Sequence, residues 1–149
     1  MDELEEVPFT EEMALRLLRE SASGILYLHS VGIVHRDIKP ENILIDYETK
    51  IAKIADFGIA RVADTSGEMT HRGTHIYQAP EVTKGERYGF AVDTYSFAIT
   101  MLEVCSRNLP FTSHQRSKGI KLALDVANKN HRPTIPENWN PGKFRQSER

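Results

Sequence analysis

The stretch from His35 to Asp56 limits the fold more than any other part of the chain. It opens with His35-Arg36-Asp37-Ile38-Lys39-Pro40-Glu41-Asn42, which sets an acid, a cation and a carboxamide within six positions. Asp37 can take a proton, Lys39 can meet a phosphate and Asn42 can hold a hard metal ion. Ile43-Leu44-Ile45 then reads as a short strand, Asp46-Tyr47-Glu48-Thr49 as a turn, and Ile51 to Ala55 as a second strand. The two strands form a β-hairpin that ends at Asp56. Such a hairpin holds Asn42 and Asp56 near one another at its open end. Magnesium favours a few protein oxygens completed by phosphate and water, and these two side chains supply such a set.

The flanking segments are mainly helical. Thr10 is a candidate N-cap with Glu11 and Glu12 in the first turn. The helical pattern runs to about Ser30, with Ala14, Leu18, Ala22, Ile25 and Leu26 on one stripe, and Gly32 is placed to stop it. Residues 59–78 are polar and irregular and read as a long loop, a length usually associated with function or disorder. Ala91 to Ser106 reads as a second helix, apolar around much of its circumference, and so as a central element of the domain. Residues 117–129 read as a third, amphipathic helix carrying Ile120, Leu122, Leu124 and Val126. The tail, with Pro133, Pro136 and Pro141, reads as extended, and residues 140–149 as a polar, disordered end.

The 149 residues suffice for one domain with a sizeable core. A net charge of −2 gives no reason to expect nucleic acid or a membrane surface as a partner. Cys105 is the only cysteine, so no internal disulfide can form; this fits a reducing compartment. The acidic N-terminus has no signal-peptide pattern. The most apolar run, Phe97 to Cys105, is too short to span a bilayer and contains Glu103. The expected location is the cytoplasm, or the nucleus.

Asp56-Phe57-Gly58 and Ala79-Pro80-Glu81 follow residues 35–42 in order. Each tripeptide alone is a weak signal. Together, over about residues 9–139, they resemble the C-terminal lobe of a eukaryotic protein kinase. The resemblance implies an α+β fold, mainly helical, in which a short hairpin carries the catalytic and metal-binding loops. It implies that Asp37 orients the substrate hydroxyl and accepts its proton, and that Lys39 neutralises charge on the transferred phosphoryl group. Asn42 and Asp56 would hold the Mg2+ ions that bridge the phosphates of ATP, and Leu44 would lie under the adenine ring. His35 and Phe57 would stack beneath the site, and Asp93 would cap the backbone of the catalytic loop. Arg36 implies a loop that phosphorylation orders, with Thr65, Ser66, Thr70 and Thr74 as candidate regulatory positions. Thr74 would also bond to Asp37 and Lys39.

Lys39, and Gly73-Thr74 ahead of Ala79-Pro80-Glu81, resemble serine/threonine kinases, so the implied partner is a protein substrate with Ser or Thr. Asp93-Thr94-Tyr95-Ser96-Phe97 and Arg132-Pro133-Thr134-Ile135-Pro136 look like the tyrosine-kinase-like group. Ala98 stands where the family usually has glycine. The sequence contains no Gly-x-Gly-x-x-Gly, and Ile51-Ala52-Lys53-Ile54 only mimics the family's ATP-lysine motif, because it follows the catalytic loop. The expectation is a partial kinase domain over residues 1–139, without the N-lobe and the last C-lobe helices, and inactive alone. Glu81 is expected to lack its usual arginine. The helix 91–106 is expected to show an exposed hydrophobic patch that a partner would cover. The alternative is a non-catalytic kinase-like interaction module, whose mark would be loss of Asp37, Asn42 or Asp56; all three are present.

Overall fold

The computed structural model describes residues 9–57, 61–62, 75–111 and 119–135. Among them the chain is α+β, with four α-helices and two small antiparallel sheets of two strands each. The tail beyond residue 135 and the first eight residues lie outside the described set.

Helix α1 (Glu11–Ser30) starts where Thr10 Oγ1 accepts the Met13 N–H at 3.1 Å, with Glu11 and Glu12 complementing the positive end of the helix dipole. It ends at Gly32, whose φ of 78° lies in the left-handed region and whose N–H bonds to His29 O at 3.0 Å. A Cβ at Gly32 would meet nothing within 4 Å, so the demand is on backbone conformation alone. Gly32→Ala is expected to cost about 1–2 kcal/mol, the left-handed penalty of an L-residue, measured by denaturant unfolding.

The buried face of α1 is Ala14, Leu17, Leu18, Ser21, Ile25 and Leu28. The expected stripe is corrected at its C-terminal end, because Leu26 is 69% exposed and Leu28 takes the inner position. Steps of four residues overshoot a turn by about 40° each, so the row 14, 18, 22, 26 walks off the face. Alternating steps of four and three stay on it. Ser21 is tolerated inside because its hydroxyl donates to Leu17 O at 2.7 Å.

Strands β2 (Ile43–Ile45) and β3 (Ala52–Ile54) form the expected hairpin, with Ile43 opposite Ile54 and Ile45 opposite Ala52. The second strand is shorter than the 51–55 read from the pattern. Its turn is held by Asp46, whose Oδ1 accepts the N–H groups of Glu48 and Thr49 at 3.1 and 2.9 Å. Lys53 reaches back to Asp46 Oδ2 at 2.6 Å, and this bond, followed by that from Thr49, holds the Asp46 carboxyl well below the usual range. Lys53 is thus an outward-facing hairpin lysine, as its place in the order of motifs implied. The hairpin lies close on α1. A Cβ on Gly24 would stand 3.1 Å from Ile54 Cγ1, and Glu20 Oε2 accepts the Ala52 N–H at 2.8 Å.

The second sheet pairs β1 (Ile33–Val34) with β4 (Arg61–Val62), Ile33 opposite Val62. The irregular reading of 59–78 is corrected at these two residues, which are too few to show a period. The five-residue helix α2 (Pro80–Lys84) begins with proline at its first turn and ends at Gly85, φ 73°. Helix α3 (Ala91–Ser106) ends at Arg107 in the left-handed conformation, φ 55°. Helix α4 (Ile120–Asn128) follows, shorter than the 117–129 pattern; residues 117 and 118 are outside the described set.

The inner face of α3 corrects a simple apolar reading. Asp93, Ser96 and Thr100 are buried there alongside Val92 and Ile99, while Ala98 is exposed and Phe97, Met101, Leu102 and Val104 are half-buried. The buried hydroxyls are satisfied: Ser96 donates to Tyr77 O and Val92 O at 2.8 and 2.9 Å, and Thr100 to Ser96 O at 2.9 Å. Where the patch was expected, the helix thus shows a partly exposed apolar surface. Exposed large apolar side chains include Leu26 and Tyr27 on α1, Leu44, Ile45 and Ile51 on the hairpin, Ile120 and Leu124 on α4, and Phe90 and Leu109 beside the two ends of α3.

Beside the buried face of α1, two clusters of buried side chains stand out among the described residues. Tyr77, Ile99, Phe111, Leu122 and Val126 join α3 to α4, and Val34, Ala79 and Val92 join β1 to α2 and α3. Tyr95 packs against both. Burial, and then the hydrogen bond its hydroxyl donates to Glu103, push the Tyr77 phenol far above its ordinary value of 10.0. A raised pKa means that the folded state keeps a proton the unfolded chain releases. This contribution is complete below pH 10.0 and declines as pH rises beyond it. Tyr77→Phe is expected to flatten this alkaline loss and to cost about 1.5–3 kcal/mol at neutral pH, since the bond runs to a carboxylate; unfolding against pH reads both.

Candidate active site

The loop from His35 to Asn42 is fastened at every turn. Asp93, 0% exposed on the first turn of α3, accepts the His35 N–H at 2.8 Å through Oδ2 and the Arg36 N–H at 2.7 Å through Oδ1. His29 Nε2, in the last turn of α1, meets Oδ2 at 2.9 Å. Three donors thus converge on one buried carboxylate, and they link α1, the loop and α3. Arg36 sits at φ 73°, a conformation costly for a residue with a Cβ, and the Asp93 bond to its N–H helps to hold it there. Asp93 caps this backbone as the resemblance implied.

His35 is fully buried and works at both ring nitrogens. Nε2 lies 3.0 Å from Ala55 O, and Nδ1 accepts the Asp37 N–H at 3.3 Å. With Nδ1 accepting, Nε2 is the ring nitrogen placed to donate to Ala55 O. The expected stack with Phe57 is partly corrected: the rings meet edge-on at 5.2 Å, and Phe57 is 49% exposed.

Asp37 Oδ2 accepts from Lys39 Nζ at 2.7 Å and from Asn42 Nδ2 at 3.0 Å. Asn42, which is buried, also donates from Nδ2 to Asp37 O at 2.7 Å. Two acceptors on one side fix the orientation of the carboxamide, and the carbonyl oxygen Oδ1 is left for other partners. The Asn42 O accepts the Ala55 N–H at 2.9 Å, so the residue before Asp56 is gripped through both its N–H and its C=O. Asp56 itself is exposed, at φ 63°. The hairpin therefore brings Asn42 and Asp56 to one end. Leu44 is 54% exposed, opposite Lys53 on the outward side of the hairpin. Thr65, Ser66, Thr70, Thr74 and Gly58 lie outside the described residues. The Arg36 guanidinium stands over the Tyr88 ring, 5.6 Å from its centroid.

Among the described residues no group of three or more His, Cys, Asp or Glu gathers as for a transition metal. One carboxylate and one carboxamide oxygen is instead a donor set suited to magnesium shared with phosphates. No helix of the described residues is long and apolar enough to cross a membrane. Among the same residues Glu81 has no ion pair, while Arg132 donates to Val126 O and lies over the Tyr95 ring.

Residues 1–145 match the protein kinase domain family. The chain belongs to the protein kinase family. It is 40% identical over 119 residues to the serine/threonine-protein kinase STY46 of Arabidopsis thaliana, across 79% of this chain and 20% of that one. It is 37% identical over 134 residues to the serine/threonine-protein kinase STY17 of the same plant, across 89% and 23%. The serine/threonine/tyrosine-protein kinase HT1, also from Arabidopsis, is 38% identical over 134 residues, across 87% of this chain and 33% of its own. The kinase chain thus spans a third or less of each of these relatives. His29, Glu20 and Tyr88 are the supporting residues that the sequence did not single out. His29 acts on a residue 64 positions away, and no local pattern reports such a contact.

Proposed function

We propose that these residues are the C-terminal lobe of a serine/threonine protein kinase that transfers the γ-phosphate of ATP to a protein hydroxyl. The observation that carries this reading is the Asp37 carboxylate, held between Lys39 and Asn42 with Asp56 delivered to the same end of the hairpin. In this reading Asp37 orients the substrate hydroxyl and takes its proton. Lys39, already within reach of Asp37, neutralises charge on the phosphoryl group. Asn42 Oδ1 and the Asp56 carboxylate hold Mg2+, and Leu44 offers an apolar surface to the adenine. Bound Mg2+–ATP supplies the phosphoryl group and the positive charge that screens its oxygens. Residues 1–139 are the domain portion in this reading, and the cytoplasm its location. A phosphate on Thr65, Ser66, Thr70 or Thr74 draws on Arg36 and orders the loop.

The test is a Mg2+ titration of ATP binding by the full-length protein. Asn42→Ala and Asp56→Ala are each expected to raise the Mg2+ requirement by at least the roughly 10–100-fold that a metal site loses when even its outer partners are removed. Unchanged Mg2+ dependence in both variants would remove the metal role from this pair.

A further inference from the structure

We infer that Tyr88 is a positioning residue for the catalytic loop, acting through Arg36. The two residues are 52 positions apart in sequence, and their side chains meet with the guanidinium 5.6 Å from the ring centroid. That lies within the roughly 6 Å at which a ring face attracts a cation. Tyr88 is itself anchored, partly buried against the cluster of Val34, Ala79 and Val92. This cluster contains the residue that leads into the loop and the residue that opens α2, so the ring is fixed to the same core as the loop it braces.

The brace matters because of what it holds. Arg36 occupies the left-handed region at φ 73° and immediately precedes Asp37. Asp93 fixes its main-chain N–H at 2.7 Å from one side. Tyr88 holds its side chain from another. With both ends restrained, the peptide that carries Asp37 has little freedom to turn. With the ring face removed, only the backbone bond remains among the described residues. The segment 85–90, which joins α2 to α3, thereby reaches the loop through one cation–ring contact. The inference rests on the reading of Asp37 as the proton acceptor only for its effect on rate; the contact itself does not.

The experiment has two arms. In the 149-residue chain, a double-mutant cycle of Arg36→Gln with Tyr88→Leu, followed by denaturant unfolding, is expected to show a coupling of roughly two- to five-fold in the folding equilibrium constant. The same cycle with Tyr88→Phe in place of the native tyrosine is expected to retain it, since phenylalanine keeps the ring face. Should Tyr88→Leu fail to fold, Tyr88→Met makes the same comparison. Additive effects in the cycle overturn the inference. In the full-length protein, Tyr88→Leu is expected to lower kcat, by up to the roughly 10²-fold that follows a misplacement of about 1 Å, with the KM for ATP unchanged. Tyr88→Phe is expected to restore kcat. A phenylalanine variant as impaired as the leucine one also overturns the inference, because the hydroxyl and not the ring face would then be responsible. A wild-type protein without phosphotransfer defeats the kinase reading, and the cycle then decides the contact by itself.

Discussion

Asp93→Ala is expected to cost about 3–5 kcal/mol of stability, the scale of removing one member of a buried charged network. The side chain is completely buried and accepts from His29, His35 N–H and Arg36 N–H. Alanine leaves two backbone donors without an acceptor in a place water does not reach. It also removes a restraint on Arg36 in its left-handed conformation. Against a typical domain stability of about 5–15 kcal/mol, that loss is large enough to unfold the chain at moderate temperature. Asp93→Asn separates the effects. Its oxygen can still serve His29 and His35 N–H, but its NH2 then faces the Arg36 N–H, donor against donor. Denaturant midpoints are expected in the order wild type, Asp93→Asn, Asp93→Ala. Amide exchange at Arg36 is expected to rise in both variants. Equal midpoints for wild type and Asp93→Asn would show that the Arg36 bond carries no weight.

Asp37→Asn in the full-length protein is expected to lower kcat by roughly 10²–10⁴-fold, the usual range for a positioned proton acceptor. Asparagine preserves the shape, and its Oδ1 can still accept from Lys39 and Asn42. Binding of ATP is therefore expected to persist, and only proton acceptance is lost. Lys39→Met is the companion variant. It removes a cation beside Asp37 and should weaken turnover without removing the acceptor. A rate for Asp37→Asn close to the wild type would assign the proton to another group.

The hairpin was legible in the sequence because its two apolar runs are bounded by Asp46 and by Asp56, and a turn residue with a carboxylate at its head fixes the register. The cap of α1 at Thr10 and its stop at Gly32 were legible for similar local reasons. The face of α1 was only partly so, since Leu26 and Leu28 are both leucine and only the helical phase decides which turns inward. The polar inner face of α3 was hidden, because Asp93, Ser96 and Thr100 enter the core by hydrogen bonds to distant or preceding backbone rather than by apolar character. Within the site, Asp37, Lys39 and Asn42 are neighbours in sequence and in space, so their order gave away their meeting. His29 and Tyr88 reach the same loop across long sequence separations and were invisible.

The most direct test of phosphotransfer at this loop is the transfer of labelled γ-phosphate from ATP to protein by the full-length molecule, wild type beside Asp37→Asn. The account predicts Mg2+-dependent label on serine and threonine for the wild type, and a loss of roughly 10²–10⁴-fold in the variant with ATP still bound. Equal labelling by the two proteins, or a wild type that binds ATP and Mg2+ with a protein acceptor present and transfers nothing, would contradict it.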